Sequence, residues 1–395
     1  MKKPTITTIV TITLLAILSG ILNGCSKDEP NNNNQTNNPT PENNVINKTV
    51  STNRLKGLWI KEDGENPEWQ IEKGQKDIVI YPDDNKCFVI AAKAGNYKLR
   101  FISSNSEKDI LYKIEVKESK CTDEVSEVLD FHPAPGQFVN DLPKWENGTT
   151  QEEMNERCLK ILQEKGLISL GAYGGSITFR FDHSIINREG FDFAIFGNAF
   201  EGNSEPGIVM VAWDKNDNGK PDEDEWYELA GSMHNDPETI HNYQITYTRP
   251  REGKREYPEP QNGYSDRRYI KWEDNLNEKG YLPKLTAHNQ DYWPGWYEGT
   301  EAKTLVFTGT KLPQNANNID GIWKLKAFEW GYVDNKPNND EAANSFDIDW
   351  AVDKNGNKVK LPAVDFIKVY NGMNQVCGPI GETSTEITHA KDLAL

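Results

Sequence analysis

Between residues 50 and 120 the chain alternates apolar and polar positions in short runs: "DIVIY" (77–81), "CFVIAAK" (87–93), "YKLRFIS" (97–103) and "LYKIEVK" (111–117). A period of two, broken by the turn-forming stretches "AGNY" and "SSNSEKD", predicts the strands of a small antiparallel sandwich. One segment changes the rhythm. In "TTQEEMNERCLKILQEKG" (149–166), Met154, Cys158, Ile161 and Leu162 recur at helical spacing. Thr149 or Thr150 offers an N-cap, with Glu152 or Glu153 three residues on to return the bond, and Gly166 offers a stop. Cys158 thereby falls on the apolar face. Period two then returns in "SITFRF", "FDFAIFG", "GIVMVAW", "WYELAG", "YQITYTR", "TLVFTGT", "IWKLKAFEWGYV", "FDIDWAV" and "DFIKVYN", separated by Gly, Asn, Asp and Pro. So many strands around a single helix predict an all-β chain: a small sandwich, then a larger jelly-roll-like antiparallel β-sandwich.

The start of the chain has a different pattern. Residues 1–25 carry Lys2 and Lys3, an apolar stretch and a small residue before Cys25, the order of a secretory signal. The apolar stretch is short for a membrane span of ~20 residues. "LNGC" (22–25) resembles a bacterial lipobox, which implies that Cys25 is lipidated. The "SKDE" that follows is similar to the signal that sends Bacteroidetes lipoproteins to the outer face of the outer membrane. "PNNNNQTNNPTPENN" has low hydropathy and no periodicity, so residues 26–50 are expected to form a disordered tether. The remaining residues divide into 51–122, which weakly resembles immunoglobulin-like or PKD-like modules, and 123–395.

Charge narrows the class of partner. Lys and Arg number 44 against 61 Asp and Glu, a net charge of −17 with a sequence pI near 4.9. Phosphate backbones would be repelled, so no nucleic acid partner is expected; divalent cations would be attracted. Beyond Cys25 stand Cys87, Cys121, Cys158 and Cys377, with no C-x-x-C, which removes support for zinc-ribbon and thioredoxin chemistry. An oxidising compartment permits a Cys87–Cys121 bridge; buried free thiols are the other outcome.

The most specific local signal is "WDKNDNGKPDEDEW" (213–226), which has the residue order of an EF-hand calcium loop. Asp214, Asn216 and Asn218 fill the first ligand places, Gly219 the bend, and the Lys220 carbonyl, Asp222 and Glu225 complete the set. The flanks alternate with period two, so the loop is expected to join two strands. Calcium accepts six to eight oxygens in flexible geometry and does not require helices; the competing reading is a solvated acidic turn. In "DIDWAVDKNGN", Asp347 and Asp349 are expected on one strand face, and Asn355-Gly356 marks a turn.

Catalytic signatures are absent. Ser176 in "GAYGGS" lacks G-x-S-x-G. His132, His183, His234, His241, His288 and His389 form neither H-E-x-x-H nor H-x-H. A carboxylate pair of glycosidase type is defined in space, so sequence leaves it open. Aromatic residues are more suggestive. In "AHNQDYWPGWYEG", Tyr292, Trp293, Trp296 and Tyr297 gather around Pro294-Gly295, with His288 nearby. Either these rings present a ligand platform or they fold down and plug the end of the sandwich.

The segments "FHPAPGQFVN" (131–140), "LGAYGGSITFRFDHSI" (170–185), 191–232, "YWPGWYEG" (292–299) and 344–372 carry a resemblance to a family of Bacteroidetes cell-surface lipoproteins, spanning roughly residues 123–390. Genes of that family often sit among cobalamin-uptake genes, and some members bind cobalamin. The resemblance implies a non-catalytic protein that captures cobalamin or a related corrinoid for a TonB-dependent outer-membrane transporter. The resemblance assigns no contact residues; on the loop's aromatic composition, His288, Tyr292, Trp293, Trp296 and Tyr297 are the expected ligand-binding residues, and on its residue order the 214–225 loop is expected to hold calcium as a structural cofactor. The alternatives are a glycan-binding surface protein and an adhesive or structural one.

Overall fold

Burial of alternate side chains drives the first sandwich. Along Gly95–Ile102, Tyr97, Leu99 and Phe101 turn inward while Lys98 faces solvent. The computed structural model describes residues 45–250, 264–288, 290–297 and 303–395; the signal segment 1–25 with Cys25, and the tether as far as residue 44, lie outside them. One four-stranded sheet runs in the order Val45–Asn53, Asp109–Lys117, Gly95–Ile102, Glu68–Ile71. It faces a three-stranded sheet of Leu58–Lys61, Lys86–Ala91 and Ile78–Asp83. Ile60 and Val89 from the second meet Leu99 and Ile114 from the first in one core.

The tether ends earlier than its composition suggested. Val45–Asn53 is a strand, parallel to Asp109–Lys117 with Val45 opposite Asp109. The Asn-rich stretch stops at Asn44, and the β-branched Val45, Ile46, Thr49 and Val50 suit an edge that would otherwise be unpaired. Cys87 and Cys121 are free thiols. Cys87 points into the small sandwich's core, whereas Cys121 packs against the main core, so the two sulfurs belong to different interiors.

The larger part is built on a six-stranded sheet ordered Ala351–Val352, Trp226–Leu229, Gly207–Ala212, Phe366–Asn371, Ser176–Arg180, Glu127–His132. Val209, Ile367 and Phe179 from this sheet pack against Phe193, Ile195 and Phe346 from the sheet of Ser345–Phe346, Phe193–Phe196 and His389–Asp392. A separate four-stranded sheet runs Lys279–Leu285, Tyr264–Asp274, Ile240–Thr248, Thr304–Lys311. It has its own core around Tyr243, Tyr247, Ile270 and Leu282. The chain is an all-β sandwich protein with a single α-helix among the described residues.

That helix, Gln151–Glu164, begins as its sequence predicts. Thr150 Oγ1 accepts from the Glu153 N–H at 3.2 Å, and Glu153 returns the bond to the Thr150 N–H at 2.9 Å. Met154, Cys158 and Leu162 are buried. The left-handed residue at its end is Lys165, at φ 56°, with Gly166 donating to the Ile161 carbonyl at 2.8 Å.

Two expected strands are shorter than read. In 322–333 only Ile322–Leu325 is a strand; the Phe328 N–H then bonds the Asn335 side chain at 2.7 Å and leaves ladder geometry. In 346–352 a 3₁₀ turn at Ile348–Trp350 intervenes. Asp347 therefore caps the Asp349 N–H at 2.8 Å, and the two carboxylates do not share a strand face. Asp353 accepts from the Asn355 and Asn357 N–H groups around Gly356, as a turn requires.

The two sandwiches share contacts. Leu55, Phe88 and Ile90 from the first belong to the core of the second. Trp213 is clasped by Trp59 (5.8 Å, stacked), Phe88 (4.9 Å) and Tyr81 (5.1 Å). No helix among the described residues is long and apolar enough to cross a membrane.

Candidate functional site

The acidic loop joins Gly207–Ala212 to Trp226–Leu229, an antiparallel pair with Ala212 opposite Trp226. Its side chains converge. Asp214 accepts from the Asn218 N–H at 2.9 Å and the Gly219 N–H at 2.7 Å, the latter possible because Gly219 sits at φ 76°. The amides of Asn216 and Asn218 reach the same Asp222 oxygen at 2.6 and 2.7 Å. Lys220 donates its N–H to Asn218 Oδ1 at 2.8 Å. Glu225 closes the ring by accepting from the Lys215 N–H at 2.9 Å and the Asp222 N–H at 3.2 Å. Burial, reinforced by Asp214 and Asp222, holds the Glu225 carboxyl above its usual range. The neighbouring cation is directed elsewhere: Lys215 pairs with Asp83 at 3.2 Å. All five side chains expected as oxygen donors thus belong to one network. Its stem is fixed to the small sandwich by the Trp59 indole N–H, which donates to the Lys215 carbonyl at 3.0 Å.

The aromatic loop turns the other way, and this corrects its expected role as a ligand platform. Tyr292 is 0%, Trp293 2% and Trp296 7% exposed. Trp296 stacks on Phe131 at 5.4 Å and donates its indole N–H to Gln151 at 3.0 Å. Tyr292 accepts the Leu285 N–H at 3.1 Å, and Tyr297 donates to the Pro133 carbonyl. His288 is half-buried, edge-on to Phe138 at 4.7 Å. The physical reason is that Asn140 satisfies the loop's polar backbone. Its amide donates to the Asp291 and Trp293 carbonyls (2.7 and 2.9 Å) and accepts the Gly295 N–H (2.9 Å). With the backbone paired, the rings gain about 1.5–3 kcal/mol each by leaving water.

Two large concavities stand out among the described residues. A cleft of about 1070 Å³ lies between the sandwiches, and several of its charged and polar groups are already paired with one another. Arg180 pairs with Glu127, His183 is held between Asp182 and Asp392, and Ser184 donates to Asp365. The other is an open groove of about 560 Å³. One wall is the hairpin Ala316–Ile319/Ile322–Leu325, which turns at Asp320 (φ 54°) and Gly321 (φ 85°). The opposite wall is the Phe200–Ser204 segment, and the two are tied by the Leu325 N–H to the Gly202 carbonyl at 2.8 Å. Phe200, Ile319 and Ile322 are 61%, 62% and 64% exposed, an apolar cluster left to solvent. Lys324, Lys326 and Lys336 line the same groove, and among the described residues none forms an ion pair. With Glu201 as the one acidic residue in the lining, three lysines on a chain of net charge −17 make a local excess of positive charge beside apolar surface. Sequence reading passed over these residues. The signal was Asp320-Gly321 between two isoleucines, a hairpin turn whose flanks would both be exposed.

No family model and no curated protein matches this chain. Among solved structures, the I9–I11 tandem of titin is similar with a TM-score of 0.16 and 9% identity, covering 42% of this chain and 49% of that one. A likeness of that size carries no argument about function.

Proposed function

We propose that this chain is a non-catalytic outer-membrane lipoprotein, anchored through Cys25 and facing the medium, that captures a corrinoid for a TonB-dependent transporter. The groove between Phe200 and the Ala316–Leu325 hairpin is the capture site. What supports this reading is the pairing of exposed apolar side chains with three lysines free of acidic partners. A corrinoid presents a broad, methyl-rich macrocycle face, a rim of amides and a phosphodiester. The apolar cluster would take the first, the exposed Asn317 amide the second and the lysines the third. An apolar surface with a few placed polar groups is the usual composition of a small-molecule site. The loop 214–225 holds calcium as a structural ion, with Asp214, Asn216, Asn218, the Lys220 carbonyl, Asp222 and Glu225 as ligands. It stiffens the stem on which the small sandwich rests.

Titration calorimetry with cyanocobalamin, run beside a panel of oligosaccharides, tests the function. Heat with cobalamin alone is expected. Heat with a sugar alone would transfer the site to glycan capture. Protease shaving of intact cells tests the location: the globular part is expected to be released, and protection until the outer membrane is broken would contradict it.

A further inference from the structure

Glu228, His234 and His241 follow one another at spacings that match no standard metal motif, and the fold brings them together where two sheets meet. Glu228 is on the strand Trp226–Leu229, His234 in the turn that follows, and His241 near the start of Ile240–Thr248. One ligand atom from each lies within 4.8 Å of the other two. The imidazole rings are 4.6 Å apart.

The hydrogen bonds determine which nitrogen carries a proton. His241 Nε2 faces the His234 carbonyl at 3.1 Å, and a carbonyl only accepts, so Nε2 is the donor. In the neutral ring His241 Nδ1 is then a bare lone pair. It faces Thr310 Oγ1 at 3.2 Å, but the single Thr310 hydroxyl proton goes to the closer Glu228 Oε2 at 2.7 Å. Lone pair therefore meets lone pair. His234 Nδ1 approaches the other Glu228 oxygen at 3.0 Å. Glu228 is held from behind by the Tyr370 hydroxyl at 3.2 Å. Two imidazole nitrogens and an anchored carboxylate thus converge on a point short of positive charge.

The backbone is distorted to produce this. Pairing between Ile240–Thr248 and Thr304–Lys311 slips between Ile240 and Tyr243. Asn242 takes a left-handed φ of 55°. A bulge with a non-glycine left-handed residue costs about 1 kcal/mol or more, and such features re-aim side chains. Here the re-aimed side chain is His241.

We infer that Glu228, His234 and His241 bind a divalent transition-metal ion of the zinc class. Imidazole and carboxylate donors suit zinc, cobalt or nickel rather than calcium. Three protein ligands leave one position open to water or a ligand from solution, and His241, which is exposed, provides the way in. Thr310 and Tyr370 orient the carboxylate, and the His234 carbonyl orients the His241 ring, the outer contacts that metal sites depend on. Binding displaces the proton now shared by His234 Nδ1 and Glu228. The inference is independent of the groove and of the acidic loop.

The full chain, stripped with chelator and kept in detergent, is titrated with Co²⁺ followed by visible absorption, and with Zn²⁺ followed by calorimetry. Expected is one ion per chain, with the strong visible bands of low-coordinate cobalt. His241→Ala and His241→Gln should each abolish those bands with thermal midpoints unchanged. Thr310→Val should weaken binding about tenfold by freeing the carboxylate. Asp214→Ala, in the separate acidic loop, should leave cobalt binding untouched. Absence of binding to the wild type, or wild-type affinity retained in both His241 variants, would overturn the assignment. So would loss of cobalt binding in Asp214→Ala, which would place the ion in the acidic loop.

Discussion

Replacing Trp296 by alanine separates a core residue from a ligand platform. In the structure the indole is 7% exposed, lies on Phe131 at 5.4 Å and donates to Gln151 at 3.0 Å. Truncating a buried tryptophan to alanine costs about 3–5 kcal/mol, from lost transfer energy plus the cavity left behind. The stacking on Phe131 and the lost hydrogen bond place Trp296 in the upper part of that range, near ~4 kcal/mol. Against the roughly 5–15 kcal/mol that holds a domain together, this is a large share. Urea unfolding followed by far-ultraviolet circular dichroism measures it, with Trp330→Ala as reference. Trp330 is 39% exposed and rests on Trp350 at 4.6 Å, so its loss should cost no more than ~1.5 kcal/mol. Below the unfolding transition, Trp296→Ala should bind cobalamin as the wild type does. The reasoning is refuted if Trp296→Ala unfolds within about 1 kcal/mol of wild type and also loses the ligand, because the ring would then face the solvent.

Two further outcomes follow from the charged groups. If the proposed calcium ion binds the folded loop alone, an excess of about 100 times its dissociation constant should add about 2.7 kcal/mol; chelator should then lower the melting midpoint, and Asp214→Ala should erase the difference. A midpoint blind to chelator would leave the loop an acidic turn. Burial pushes Glu205 from 4.5 up to about 8, Asp334 from 3.8 to about 7 and Glu382 from 4.5 to about 7. A raised folded-state pKa gives stability that is complete below the unfolded value and is lost as pH rises through the folded one. The melting midpoint should therefore fall between about pH 5 and about pH 8, and Glu386→Gln, which removes a carboxylate within 4.8 Å of Glu205 and Asp334, should flatten the fall. A midpoint that rises across this window would contradict the assignment.

What the sequence disclosed was whatever depends on neighbours along the chain. The helix start at Thr150, the hairpin around 213–226 and the inward alternation of Tyr97, Leu99 and Phe101 are all local, and all were readable. The convergence of the acidic loop's side chains was readable for the same reason, since its partners lie within a dozen residues. The aromatic loop was misread because its burial depends on Asn140, more than 150 residues away, which pairs the loop backbone. The groove depends on the hairpin at 316–325 meeting the 200–204 segment, a contact no periodicity announces. Glu228, His234 and His241 were unreadable as a set because a strand register slip, rather than sequence spacing, brings His241 to the other two.

The central claim is that ligand is captured in the groove, and affinity of groove variants tests it most directly. Phe200 is 61% exposed; covering that share of a phenylalanine side chain is worth about 1–2 kcal/mol, or roughly tenfold in affinity. Calorimetric titration of cyanocobalamin into wild type, Phe200→Ala and Lys326→Glu should show binding at least tenfold weaker in each variant, with unchanged melting midpoints. Wild-type affinity retained in both variants would contradict the account.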